Sequence, residues 1–400
     1  MNPTRSSRRG LATLALVASG ALALTACGSD GTKTPGAGGA TSIAGQATSA
    51  AGQATSAAAN AGGAATSAAG GGSVSCDGAK GTVDVAGSSA QANAVDEWQK
   101  AFSAACGGAG VNYNANGSGS GRTAFAQGTV AFAGSDSSLK DADRPAAEKR
   151  CGGNPVLDLP MVVGPIAVAY HLAGVDKLVL DAPTISKLFS DKIKTWDDPA
   201  IKALNPDATL PSTPVQSVHR SDDSGTTENF LKYLTAAAPA DWTYGTAQTW
   251  MAPGGTGAPK SAGVADAVKG GDGSIGYVEA SFATNASLSV ASIATGAGAP
   301  VELSADTAST AVAGATQSGT GNDLALKLDY ATKAAGAYPI ILVTYEIVCS
   351  KGLPAEQAAL VKSFLTYTSS GGQSVLAGLD YAPLPDTVRS KVAAAVATLS

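Results

Sequence analysis

From about residue 81 onward, short apolar runs alternate with glycine-serine turns, a pattern that predicts strands feeding into helices. The first unit reads as a strand Val83-Asp84-Val85, a turn Gly87-Ser88-Ser89 and a helix over 91–105, in which Val95, Trp98, Phe102 and Ala105 recur at helical spacing and would pack on a sheet. The second unit has a strand over 111–115, a Gly/Ser turn, a helix from about Arg122, and a strand over 130–133 ending at Ser135-Asp136. Further strands are expected over 162–170, 215–218, 275–278 and 340–348. Helices are expected over 184–188, 228–234, 264–269, 356–367 and 386–399. Such alternation belongs to mixed α/β folds.

Ahead of this body the pattern changes twice. Arg5, Arg8 and Arg9 precede an apolar run over 11–24, which is shorter than a membrane span and has the layout of a signal peptide. It ends in Leu24-Thr25-Ala26-Cys27, which resembles the lipobox of bacterial lipoproteins; residues 1–27 are therefore expected to be a signal peptide, with Cys27 as the lipidated residue. Ser7-Arg8-Arg9-Gly10-Leu11 leaves a twin-arginine and an ordinary secretory route both open, and either crosses the membrane. Residues 28–75 are almost wholly Gly, Ala, Ser and Thr, with AGQATSA at 44–50 repeated at 51–57. The repeat has no large residues to form a coiled-coil seam, so a flexible tether is expected, with a reach of about 35 to 40 Å.

At 400 residues the chain exceeds what one core usually organises, so two lobes are expected. With 14 % charged residues and a formal net charge of -5, it lacks the basic footprint of a nucleic-acid binder, and any anion must be held by local groups. Setting Cys27 aside, Cys76, Cys106, Cys151 and Cys349 can form two disulfides in an oxidising compartment. Sequence cannot choose among the three connectivities, although 76 with 106 and 151 with 349 is preferred. No C-x-x-C spacing supports zinc, and neither a metal nor another cofactor is expected. His171, His219, Trp98, Trp196, Trp242 and Trp250 are read as packing or surface residues.

Several strand-to-helix turns are built from glycine and small hydroxyl residues, which leaves helix N-terminal N–H groups uncovered for an anion. Taken one at a time, such residues are ordinary caps. Asp136 by itself reads as a cap and Arg220 as half of a surface ion pair. Together, Gly87-Ser88-Ser89-Ala90, the run Asn116 to Gly121 (NGSGSG), Phe132 to Asp136 (FAGSD) and His219 to Thr226 (HRSDDSGT) resemble the substrate-binding proteins of Pst-type phosphate ABC transporters. The resemblance extends to 193–206, to 273–279 (GSIGYVE) and to Tyr338-Pro339-Ile340, so it covers nearly everything from about Gly81 to the end.

The resemblance implies a two-lobed periplasmic-binding-protein fold of type II, with one lobe over 76–163 and 342–400, the other over 164–341, and the ligand in the cleft between them. It implies phosphate contacts from Ser89, Ala90, Ser118, Asp136, Arg220, Ser224, Gly225 and Thr226, with Ser88 and Asp222 in support. Asp136 would accept from a protonated phosphate oxygen, which sulfate lacks, and Arg220 would supply a full positive charge through its planar fork. Implied partners are transporter permease subunits, with the membrane reached through the lipid anchor. No G-x-x-x-x-G-K-[ST] loop is present, so ATP hydrolysis would belong to another subunit. Arg122 follows the second turn without an assigned role. Competing readings are a sulfate or molybdate binder, a surface adhesin, and a serine hydrolase or phosphatase using Ser118 or Ser120 with His219.

Overall fold

The structure, a computed structural model, describes residues 74–400. The expected signal peptide, lipidated cysteine and most of the tether lie outside the described residues. The first units are β1 (Thr82–Gly87), α1 (Ala92–Ala105), β2 (Gly110–Asn114), α2 (Ser118–Ala126), β3 (Ala133–Ser135) and α3 (Arg144–Arg150). They are followed by β4 (Val156–His171), β5 (Val179–Asp181), α4 (Ala182–Phe189), α5 (Pro199–Leu204), β6 (Gln216–Arg220) and α6 (Gly225–Ala237). Next are β7 (Thr256–Ala258), α7 (Lys260–Gly270), β8 (Ser274–Glu279), α8 (Ala280–Asn285), β9 (Ser289–Val290), β10 (Ser292–Ala294) and α9 (Ala305–Ala313). A hairpin of β11 (Thr316–Gln317) and β12 (Leu326–Lys327) leads to β13 (Ile341–Cys349), α10 (Ala355–Thr368) and α11 (Asp386–Ala397).

The main sheet runs in the order β2-β1-β3-β13-β4-β8-β6-β7, with β9 added to β4. β1, β2 and β3 are parallel at one end and β6, β7 and β8 at the other. Between them β4 and β13 run antiparallel to each other. β4 pairs with β13 through Pro165 and with β8 from Ile166 onward. Buried on both faces, it reads in sequence as a near-continuous apolar run. The hairpin β11–β12 turns back toward the first half of β4, where the Leu324 N–H donates to the Asp158 carbonyl at 3.0 Å and Arg144 pairs with Asp158 and Asp323.

In α1, Val95, Trp98 and Phe102 are buried as the spacing predicts, and the Trp98 Nε1–H donates to the Gly372 carbonyl at 2.7 Å. Ala105 is exposed, because the helix ends there and the stripe has already left the sheet. β3 is shorter than expected and β4 longer. α2 starts at Ser118, four residues before the expected Arg122. The glycines that look like turn formers are what let this helix lie against the end of β1: a Cβ on Gly121 would sit 2.5 Å from the Gly87 Cα. Disulfides join Cys76 to Cys106 and Cys151 to Cys349, the preferred pairing. Trp98, Trp196 and Trp242 are core residues, and Trp250 packs partly buried against Trp242.

Candidate functional site

The polar turns meet at the carboxyl ends of the parallel strands of both sheet ends, the position where open α/β sheets place ligands. Ser88 and Ser89 follow β1, Ser118 opens α2, and Asp136 follows β3. From the other sheet end, Arg220 closes β6, Ser224 caps α6, Ser261 opens α7 after β7, and Glu279 ends β8. The antiparallel pairings of β13 with β3, of β4 with β13 and of β8 with β4 set the two parallel groups in opposite senses, so their carboxyl ends face each other and chain segments more than 100 residues apart converge.

Asp136 lies at the centre and is buried. Its Oδ1 accepts from the Ser88 hydroxyl at 2.6 Å and the Thr344 hydroxyl at 2.7 Å, and its Oδ2 accepts from the Ser118 hydroxyl at 3.0 Å. A carboxylate offers about four lone-pair positions, so one on Oδ2 stays available to a further donor. Burial, and then the nearby Glu279 charge, push the Asp136 carboxyl up to about 6, while the Ser88, Thr344 and Ser118 hydrogen bonds hold it from rising further.

Arg220 is buried too, and Asp222 grips its fork at both ends, with Nε to Oδ1 at 2.8 Å and Nη2 to Oδ2 at 2.5 Å. Its Nη1 turns toward the Thr226 and Ser261 hydroxyls, each at 3.4 Å. Burial alone would raise the Asp222 carboxyl, but the Arg220 hydrogen bonds and charge win and hold it below the ordinary carboxylate range. The Thr226 hydroxyl donates to Glu279 Oε1 at 2.5 Å, and the Lys260 N–H braces Asp222 at 2.9 Å.

Around these two charges lie helix N-termini. The Ser224 hydroxyl accepts the Thr227 N–H at 3.1 Å, which leaves the first-turn N–H groups of Gly225 and Thr226 to other acceptors. The caps of α2 and α7, Gly117 and Pro259, make no side-chain capping bond. Ala90 differs: its N–H donates to the Ser88 hydroxyl at 3.0 Å in this structure. The Ser89 and Ser261 hydroxyls are 2.9 Å apart. Gly225 faces Asp136 and Ser118 so closely that a Cβ there would lie 2.6 Å from the Asp136 Cβ and from the Ser118 Oγ. The two sheet ends thus touch at the site, and the Asn229 amide adds a bond to the Asp136 carbonyl at 2.7 Å.

The hydrolase reading paired Ser118 with His219, but the Ser118 hydroxyl donates to Asp136 instead. His219 stacks on Trp250 with ring centroids 4.8 Å apart, and its Nδ1 lies 3.0 Å from the Arg220 carbonyl oxygen. Residues that sequence reasoning missed are Ser261, Thr344, Glu279 and Gln248. The one available signal was polarity inside an apolar strand, as at Thr344 and Glu346 in ILVTYEIVC.

A family model for the PBP superfamily domain matches residues 64–371. The phosphate-binding protein PstS3 of Mycobacterium tuberculosis H37Rv is 42 % identical over 388 residues, spanning 96 % of this chain and 97 % of that protein. PstS2 of Mycobacterium bovis BCG is 40 % identical over 399 residues, spanning 98 % and 99 %. The chain belongs to the PstS family of phosphate-binding proteins. Its fold is that of the phosphate-bound periplasmic protein PfluDING, with a TM-score of 0.65 at 22 % identity over 78 % of this chain and 93 % of that one. A phosphate-binding protein from Stenotrophomonas maltophilia superposes with a TM-score of 0.63 at 23 % identity, covering 79 % and 94 %. The fold is therefore the two-lobed PstS fold, and the partner change of β4 at Ile166 lies within it.

Proposed function

We propose that this chain binds inorganic phosphate outside the cytoplasmic membrane and hands it to the permease of an ABC transporter. The observation that carries the reading is the buried acceptor Asp136 facing helix N-termini and Arg220 across a junction of the two sheet ends. Donors from Ser89, Ser118, Ser224, Gly225 and Thr226, with Ser261 added, suit the oxygens of a tetrahedral oxyanion. The free position on Asp136 suits an oxygen that still bears a proton. Residues 76–163 with 342–400 form one lobe in this reading and 164–341 the other, so that the ligand bridges them and favours closure. The partner change of β4 between Pro165 and Ile166 supports a hinge there. Lipidation at Cys27 and binding without turnover complete the reading.

Titration calorimetry with phosphate, arsenate and sulfate tests it. Phosphate and arsenate, which both carry a proton at neutral pH, are expected to bind, and sulfate to give no heat. Equal binding of sulfate, or no binding of phosphate, would overturn the assignment.

Closure itself can be probed at Gly225. Gly225→Ala inserts a methyl between Asp136 and Ser118, and overpacking of about 1–3 kcal/mol predicts roughly a tenfold loss of phosphate affinity with the unliganded fold intact. Unchanged affinity in that variant would mean that the N-terminus of α6 does not approach Asp136 in the bound state.

A further inference from the structure

Arg122 is a buried arginine that the phosphate cradle does not use. It lies in α2 with 9 % of its surface exposed, and it forms no ion pair among the described residues. Its Nη1 donates to the Ser135 hydroxyl at 3.0 Å, next to Asp136 in sequence, and its Nη2 donates to Gln248 Oε1 at 2.7 Å. Gln248 belongs to the segment between α6 and β7, on the far side of the junction from α2. Its backbone carbonyl in turn accepts the Ser224 N–H at 3.0 Å, so the residue that Arg122 reaches is the one that seats the N-cap of α6. Gly119 keeps the path open: a Cβ there would sit 3.0 Å from Gln248 Oε1.

A guanidinium buried without a carboxylate is costly unless something offsets it. The Arg122 Nε and the Gln248 Nε2 are also buried without hydrogen-bond partners. A surface charge or a core packing residue would be placed otherwise. What this arrangement achieves is one side chain that ties together the turn carrying Ser118, the strand end carrying Asp136 and the segment that holds the N-cap of α6.

We propose that Arg122 is the latch of the closed state: its bond to Gln248 forms as the two lobes come together over phosphate and sets how long the anion stays. The proposal rests on the phosphate reading above. Arg122 acts as a positioning residue, through Gln248, and it belongs to the release step because the bond spans surfaces that part on opening. Binding differences of this kind fall mainly on dissociation.

Release of radiolabelled phosphate, chased with unlabelled phosphate, is the test, with association measured alongside. Arg122→Ala and Gln248→Ala are each expected to speed release by about tenfold or more while association changes by less than about threefold. The double variant should release no faster than the faster single variant, since both remove the same bond. Arg122→Lys, which keeps the charge but not the fork, should fall between wild type and Arg122→Ala. Gln248→Ala leaves the buried charge in place and decides the matter if Arg122→Ala does not fold. Unchanged release in Gln248→Ala, multiplicative effects in the double variant, or a loss carried by association would overturn the latch while leaving phosphate binding intact. A wild-type protein that binds no phosphate would overturn both.

Discussion

Arg220→Ala should weaken phosphate binding by about tenfold or more, the effect of losing a charge-assisted hydrogen bond worth roughly 1.5–3 kcal/mol. In the proposed site Arg220 supplies the full positive charge, and Asp222 fixes its plane from both ends of the fork, so it would need no reorganisation when an anion arrives. Its Nη1, only loosely engaged at 3.4 Å by Thr226 and Ser261, is the donor best placed to turn to a ligand. Removing the side chain also strands Asp222, whose carboxyl the Arg220 charge holds low, as a negative group beside the anion. Arg220→Lys should recover only part of the loss, because a point charge cannot serve Asp222 and phosphate in one plane. Titration calorimetry of the two variants checks this, and wild-type affinity in Arg220→Ala would remove Arg220 from the site.

The pairing with Asp222 has a pH consequence of its own. A carboxyl held below its unfolded value stabilises the fold above that unfolded value, and the contribution is lost as pH falls through the folded one. Arg220→Ala should therefore also flatten the acid limb of the stability profile.

The parts of the site that sequence made legible are those written in contiguous residues. Ser224-Gly225-Thr226 reads as a cap and first turn because a short hydroxyl side chain and a glycine precede an apolar helical stripe, and Ser224 does cap α6. The β1 turn reads in the same way. Elements were lost where tertiary contact overrode local preference, as in α2, whose glycines argue for a turn until Gly87 is seen beneath Gly121. Ser261, Glu279 and Thr344 were illegible for another reason. Each is unremarkable in its own segment, and only the sheet order brings the start of α7, the end of β8 and the middle of β13 beside Asp136 and Arg220. Arg122 stood out in sequence but had no role there, because its partner Gln248 lies 126 residues away in a loop.

Asp136→Asn should narrow the phosphate-to-sulfate preference by at least about tenfold, since a buried group left without its partner costs roughly 1–3 kcal/mol. In the proposed site the free position on Oδ2 only accepts when the carboxyl is ionised, so an anion oxygen without a proton would face a carboxylate and be repelled. The amide supplies two donors instead, and the Ser88, Ser118 and Thr344 hydroxyls can rotate to accept from it, so the cradle tolerates the change. The same logic fixes a pH dependence. With the carboxyl raised to about 6, Asp136 is ionised at neutral pH and gains a proton as pH falls through that value. Below it the group can donate, so sulfate should begin to compete with phosphate in the wild type as the solution is acidified, and the Asn variant should show no such transition. Stability follows the opposite sense from Asp222: a carboxyl raised above its unfolded value contributes most below that unfolded value, and the contribution is lost as pH rises through about 6. Competition titrations of both proteins across that range separate the outcomes. Sulfate rejection that is unchanged by the substitution and flat with pH would mean that Asp136 is no more than a structural anchor for three hydroxyls.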